Sequence, residues 1–155
     1  MNPLIRKARI QDVKAMHALL LNNPEDEGLV LPRSYAQLYS QLRDFFVAVD
    51  RDTGAVLGCC ALNICWEALA EVRSLSVAKP YRGNQLGRLL VEASLSEAVT
   101  IGIYSVFVLT NTPAFFARLG FVEAPKDDLP QKVWGDCINC PKFPDCDEIA
   151  MTITL

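Results

Sequence analysis

A chain of 155 residues, 51% of them hydrophobic, has the length of one ordinary domain and enough apolar side chains to fill its core. Its 15 Lys and Arg against 18 Asp and Glu give a net charge of -3, without the basic surplus that a phosphate backbone demands, which argues against nucleic acid as a main partner. No apolar run approaches the ~20 residues of a membrane span, and the start from Met1 to Lys7 has no signal-peptide apolar region, so a cytoplasmic protein with no membrane partner is expected.

In chain order, residues 4–9 read as a strand. Val13, Met16, His17 and Leu20 then fall at i, i+3, i+4 and i+7, one face of a helix that should stop near Asn22, Asn23 and Pro24. After an acidic loop, Tyr35, Leu38, Tyr39 and Leu42 repeat the helical spacing behind Ser34, a capping residue. Residues 45–49, 56–64 and 71–77 are rich in β-branched and apolar side chains. Asp52-Thr53-Gly54 supplies hairpin chemistry between the first two, and together they predict an antiparallel meander. The helical period returns with Leu86, Leu89, Leu90 and Ala93 and runs to about Ile101, where Gly102 ends it. Residues 105–109 form a short, nearly all-apolar strand of the doubly buried kind. Thr112 as cap, Pro113 at the first position and Gly120 just past the end bracket a short helix. Phe121 and Val122 begin another strand, and residues 149–155 form the last. This order predicts a single α/β (α+β) domain over residues 1–155, a central mixed sheet flanked by helices.

The chemistry concentrates where the strand ending at Val77 runs through a glycine-containing turn into the helix beginning at Leu86. Free backbone N–H groups and the positive end of the helix dipole make such a turn a site for a pyrophosphate. Gly83 and Gly87 allow a close approach, and Arg82 and Arg88 add positive charge. No Gly-Lys-Ser/Thr ending makes it a Walker loop, and it does not match the dinucleotide G-x-G-x-x-G pattern.

The run Arg82-Gly83-Asn84-Gln85-Leu86-Gly87 resembles the acyl-CoA loop of the GNAT superfamily of N-acetyltransferases, Q/R-x-x-G-x-G/A, with Gln85 in place of the middle glycine. That exchange requires Gln85 to avoid a positive φ. The resemblance implies the GNAT fold, with a mostly antiparallel sheet, and acetyl-CoA as acetyl donor without a metal. It places Leu75, Ser76 and Val77, with Arg82, Gly83, Asn84, Gln85, Leu86, Gly87 and Arg88, around the cofactor. Glu71 falls where many members carry the carboxylate general base, which the chemistry needs because an alkylammonium must lose a proton before it attacks a thioester. Phe116 occupies the place of a tyrosine that protonates the departing thiolate in many members, so that acid role is not carried over.

The segment from Leu109 to Phe121, with Leu129-Pro130 beyond it and Gly28-Leu29-Val30-Leu31-Pro32-Arg33-Ser34 before it, is similar to the acetyltransferase domain of N-acetylglutamate synthase. The resemblance implies an amino-acid N-acetyltransferase acting on glutamate, the first step of arginine biosynthesis, with Arg33, Arg73, Thr110, Asn111 and Thr112 around the substrate. A bidentate arginine suits glutamate's two carboxylates, although family members often have an arginine at the place of Asn111. The kinase-like regulatory domain of long bacterial synthases does not fit in 155 residues, which implies a short, stand-alone form, and a homodimer would follow superfamily habit. The rival readings are the same fold acting on another small amine, a polyamine, an antibiotic or a peptide N-terminus, and a sensor of acyl-CoA or metal without turnover.

Two groups of cysteines complete the inventory. Cys59, Cys60 and Cys65 lie in an apolar stretch and read as small buried hydrophobes. Cys137, Cys140 and Cys146 form C-x2-C-x5-C, three of the four ligands a structural zinc wants, with Asp136, Asp147, His17 or Cys65 as candidates for the fourth. A redox-labile pair and a simple packed loop are the other readings of that cluster. His17 is expected to be a packed histidine with one hydrogen bond, outside the chemistry.

Overall fold

Apolar side chains at period two build a single mixed, mostly antiparallel sheet in the computed structural model, which describes residues 1–22, 33–126, 129 and 148–155. Strands β1 (Pro3–Lys7), β2 (Phe45–Asp50), β3 (Val56–Trp66) and β4 (Leu69–Val77) form an antiparallel meander. Strand β5 (Ser105–Thr110) then lies parallel to β4, and β7 (Ile149–Thr154) inserts between β5 and the short β6 (Val122–Glu123).

Helices cover both faces, as the change of period predicts. Helix α1 (Val13–Asn22) buries Val13, Met16 and Leu20, and α2 (Tyr35–Ser40) buries Leu38, against Phe45, Val47, Cys59 and Ala61. On the opposite face α3 (Leu86–Ile101) sets Leu86, Leu90, Val91 and Ala98 on Leu57, Cys60, Leu62, Val72 and Val106. Adjacent residues of one strand point to opposite faces, so Cys59 and Cys60 enter different cores. Burial pushes both thiols up, that of Cys60 to about 12, which leaves them protonated and inert. Cys65, near the end of β3, is only partly buried.

Ends of helices follow the local chemistry with two exceptions. Ser34 and Gln37 cap α2 reciprocally, the Gln37 N–H donating to Ser34 Oγ at 3.1 Å and the Ser34 N–H to Gln37 Oε1 at 2.8 Å. Gly102 closes α3 at φ 91°. Leu42, however, leaves the helix and joins a 3-10 turn, Leu42–Asp44, that leads into β2. Thr112 stands ahead of α4 (Pro113–Arg118) without capping it through its side chain, because its hydroxyl is 3.0 Å from that of Thr110.

What positions a site is the junction of β4 and β5. They pair at Ala70 with Val106 and at Glu71 with Phe107, and beyond these the two strands part. The cause lies within β4: Cys59 faces Ser76 and Ala61 faces Arg73, so Ser74 and Leu75 together oppose Cys60 in a bulge. Ser74 there adopts φ 56°, an uncommon backbone for a non-glycine residue. Meanwhile β5 stays paired with β7 along its whole length. The crevice therefore opens at the carboxyl ends of two parallel strands, the place where open α/β sheets bind ligands.

Candidate active site

The turn after β4 forms one wall of this crevice. A 3-10 turn, Lys79–Tyr81, leads to Gly83 at φ 81° and Gln85 at φ 67°, and the carbonyl of Gln85 accepts the first helical bond, from Leu89, at 3.0 Å. The expectation that Gln85 avoids a positive φ is therefore wrong. The residue takes the left-handed conformation of the glycine it replaces, since the backbone must still turn sharply to enter α3. Left-handed backbone costs a non-glycine residue roughly 1–2 kcal/mol. Gln85→Gly should raise stability by about 1 kcal/mol, roughly 2–4 °C in Tm, and leave CoA affinity intact, which thermal unfolding and a CoA titration will check.

Side chains of the turn brace it internally, and the Arg82 N–H donates to the Lys79 carbonyl at 3.3 Å. Arg82 Nε donates to the Val77 carbonyl at 3.0 Å, tying the turn to the end of β4, and Asn84 Nδ2 donates to the Tyr81 carbonyl at 3.1 Å. Leu86 is buried and anchors the first helical turn, where Gly87 lets the ring of Phe115 from α4 approach. No acidic residue lies in that first turn, and a Cβ on Gly83 would meet nothing within 4 Å. Open backbone N–H groups at a helix N-terminus without opposing charge fit a pyrophosphate. Arg88 lies one turn in, 3.3 Å from Glu92 on the helix surface.

Glu71 stands at the vertex, opposite Phe107 in the last parallel pair. Its side chain is 12% exposed and its Oε1 lies 3.8 Å from Arg73 Nη1. Arg73 in turn places Nη2 3.4 Å from Gln41 Oε1. Arg73 is the cross-strand partner of Ala61, which packs beneath α1 and α2, so Glu71 and Arg73 face that side of the sheet. Arg33, directly ahead of the α2 cap, is buried at 4% exposure. Of the residues that the sequence singles out for substrate, Arg73 is thus brought to the face of Glu71, and Arg33 is buried just ahead of the helix α2 that covers that face. Thr110 instead follows Val106 and Val108 onto the α3 face, where its Oγ1 accepts the Thr112 N–H at 2.8 Å. Leu75 and Val77 pack on the core under α3, while Ser76 is buried on the α1 side.

Three other expectations have an outcome. Phe116 is a core residue, its ring edge-on to Phe115 at 4.9 Å and to Phe121 at 5.3 Å, so it offers no proton. His17 stacks on Tyr35 with centroids 4.0 Å apart, a ring contact where a hydrogen bond is expected. Cys137, Cys140 and Cys146 lie outside the described residues, as does the 28–32 segment. Among the described residues no group of three or more His, Cys, Asp and Glu could hold a metal ion, and no helix is long and apolar enough to cross a membrane.

Sequence reasoning missed Asn63 and Asp44. Asn63 is the cross-strand partner of Glu71, and its Nδ2 donates to Asp44 Oδ2 at 3.4 Å. The one sequence signal was a lone amide inside the apolar run of β3.

A crevice between splayed parallel strands, a phosphate-ready turn and a shielded carboxylate at the vertex coincide with a family match. Residues 13–121 match the model of the acetyltransferase (GNAT) family. The chain belongs to that family. An uncharacterized N-acetyltransferase of Chlorobaculum tepidum is 44% identical over 97% of this chain and 96% of its own. An amino-acid acetyltransferase of Mycobacterium tuberculosis is 35% identical over 78% of this chain and 69% of its own length. Another, from Pasteurella multocida, is 36% identical over 83% of this chain, which spans 29% of that relative. Among solved structures, N-acetylglutamate synthase from Neisseria gonorrhoeae complexed with coenzyme A and N-acetyl-glutamate superposes with TM-score 0.87 and 27% identity, over 100% of this chain and 35% of that one. A Mycobacterium tuberculosis protein in complex with CoA and a second ligand gives TM-score 0.83 and 29% identity over 98% of this chain and 99% of that one.

As a GNAT protein the chain is an N-acetyltransferase with acetyl-CoA as its donor.

Proposed function

We propose that this acetyltransferase transfers the acetyl group of acetyl-CoA to the α-amino group of an amino acid, with glutamate as the preferred acceptor, the first committed step of arginine biosynthesis. The observation that carries the reading is the placement of Glu71 and Arg73 together on the face of the sheet that α1 and α2 cover, beside the crevice. A carboxylate base with a guanidinium beside it suits an acceptor with an amine to activate and a carboxylate to hold. Similarity to amino-acid acetyltransferases supports it.

In this mechanism the backbone donors from Gly83 to Arg88 hold the pyrophosphate, with Arg82 and Arg88 adding charge. The released edge of β4 at Leu75, Ser76 and Val77 aligns the pantetheine arm, and its backbone N–H groups polarise the thioester carbonyl. Glu71 takes a proton from the acceptor ammonium through water, the freed amine forms the new C–N bond, and the C–S bond breaks. Since Phe116 is aromatic core, the departing thiolate draws its proton from solvent at the open end of the crevice, near exposed Thr112. Asn111, between Thr110 and Thr112, borders the acceptor from the β5 side.

Release of the CoA thiol, followed over a panel of amino acids, polyamines and peptides, tests this. Glutamate or another acidic amino acid should give the highest kcat/KM. Turnover confined to polyamines or peptides would replace the acceptor, and no turnover with any amine would favour a sensor of acyl-CoA.

A further inference from the structure

Where β4 bulges against Cys60, Ser74 is unfavourable in two ways at once. Its φ of 56° is one of two positive values at non-glycine positions among the described residues, and the other, at Gln85, follows from the entry into α3. Left-handed backbone disfavours any residue with a Cβ. Ser74 is also buried, at 7% exposure, and its Oγ has no hydrogen-bond partner among the described residues. Buried hydroxyls elsewhere are bonded: Ser94 Oγ donates to the Leu90 carbonyl at 3.2 Å, and Thr110 Oγ1 accepts the Thr112 N–H at 2.8 Å. A hydroxyl withdrawn from water without a partner destabilises a fold, and native proteins keep few of them. The bulged peptide itself is held, since the Cys59 thiol, which burial keeps protonated, donates to the Ser74 carbonyl at 3.5 Å.

The place of this hydroxyl identifies its partner. The last pairing of β4 with β5 is at Glu71, so Ser74 lies on the stretch of β4 that β5 has released. It falls between Glu71, the proposed base, and Leu75, Ser76 and Val77, the segment proposed to align the thioester. Three residues of strand from Glu71 to Ser74 span about 10 Å. A carboxylate working through one water reaches an amine over two hydrogen bonds, roughly 6 Å, and the amine attacks across about 3 Å, which sets the acyl carbon at the level of the bulge. We propose that Ser74 is a catalytic residue whose hydroxyl donates a hydrogen bond to the thioester carbonyl oxygen, a bond that strengthens as that oxygen becomes negative. The inference rests on the reading in which the released edge of β4 aligns the thioester, and it is independent of which amine is acetylated.

As the amine nitrogen bonds to the acyl carbon, the carbonyl π pair moves onto oxygen, where the hydroxyl and the β4 backbone N–H groups meet it. When the C–S bond breaks, that pair returns to remake the carbonyl, and the thiolate leaves with the bonding electrons. The nitrogen gives its remaining extra proton to solvent as the thiolate takes one, and Ser74 keeps its own proton throughout. A serine re-aims its hydroxyl by rotation about one bond, so a carbonyl arriving along the released edge is met without backbone movement. Strained backbone and an unmade hydrogen bond at one residue beside the crevice are the pattern of a group kept for function at the expense of stability.

Kinetics of Ser74→Ala and Ser74→Gly on the intact chain, with thermal unfolding and the infrared carbonyl stretch of bound isotope-labelled acetyl-CoA, test the proposal. Both variants should lower kcat about 10²-fold with whichever acceptor the wild type turns over best, and leave KM for both substrates nearly unchanged. Tm should hold or rise, and rise more in Ser74→Gly, which also relaxes the positive φ. The carbonyl stretch should lie lower in the wild type than in either variant, because a hydrogen bond to the oxygen weakens the C=O bond. An unchanged kcat, a stretch identical in wild type and variants, or a fall in Tm with kcat untouched, as for a hydroxyl bonded only to a buried water, would overturn it. If Glu71→Gln also keeps full kcat, the placement of the reaction along β4 has failed. If Glu71→Gln is slowed and the Ser74 variants are not, only the role of Ser74 is lost.

Discussion

Glu71→Gln is expected to lower kcat by about 10²–10⁴-fold, the usual contribution of a positioned general base, with KM for acetyl-CoA nearly unchanged. The amide keeps the size of the carboxylate and one acceptor oxygen, so the strand pairing with Phe107 and Asn63 is preserved. What disappears is the capacity to take the ammonium proton. The acceptor is then active only in the small fraction that is already deprotonated, and the rate should climb steadily with pH toward the amine's own value. A wild-type profile with its acid limb intact, measured as CoA-thiol release between about pH 6 and 10, would exclude Glu71 as the base.

Arg33→Ala should act on the other substrate. If the buried Arg33 guanidinium receives a carboxylate of the acceptor, removing it costs roughly 2–5 kcal/mol, about thirtyfold to several-thousandfold in KM for the amino acid. The affinity for acetyl-CoA, held across the crevice by the turn before α3, should stay as it was. Because Arg33 is buried, truncation can also unsettle the α2 cap at Ser34, so Arg33→Lys belongs in the same series. Lysine keeps the charge and loses the planar fork, and an intermediate KM with unchanged Tm would identify recognition of a carboxylate. A KM for glutamate unaffected by either substitution would remove Arg33 from the site.

Local chemistry was readable wherever one residue type at one spacing had a single consequence. Of the stripe Leu86, Leu89, Leu90 and Ala93, Leu86 and Leu90 are buried in the core, Gly102 ends that helix, and Ser34 caps α2. The phosphate turn belongs to this class too, since its signal is contiguous. Gln85 shows the boundary of such reasoning. A side chain argues for negative φ, yet the path from β4 into α3 imposes a left-handed turn and the residue accepts the strain.

Contacts between distant segments left weaker traces. The bulge at Ser74 and Leu75 depends on how β4 registers against Cys60, and nothing in Arg73-Ser74-Leu75 announces it. Gln41 reaches Arg73 from the end of α2, and Asp44 reaches Asn63 from the 3-10 turn that follows, pairings between segments far apart in the chain. The side of the sheet on which Thr110 lies follows from counting along β5, but its bond to Thr112 rather than proximity to Glu71 does not.

By itself, then, the sequence determined the elements, their order, the turn fit for a pyrophosphate and Glu71 as the carboxylate to watch, because each rests on periodicity or on a contiguous motif. Tertiary structure alone decided that β4 and β5 separate just past Glu71, that Arg73 shares its side, and that Gln41 reaches the Arg73 guanidinium. Those facts depend on strand register and helix placement, which are set by the packing of two cores on opposite faces of one sheet and have no local sequence code.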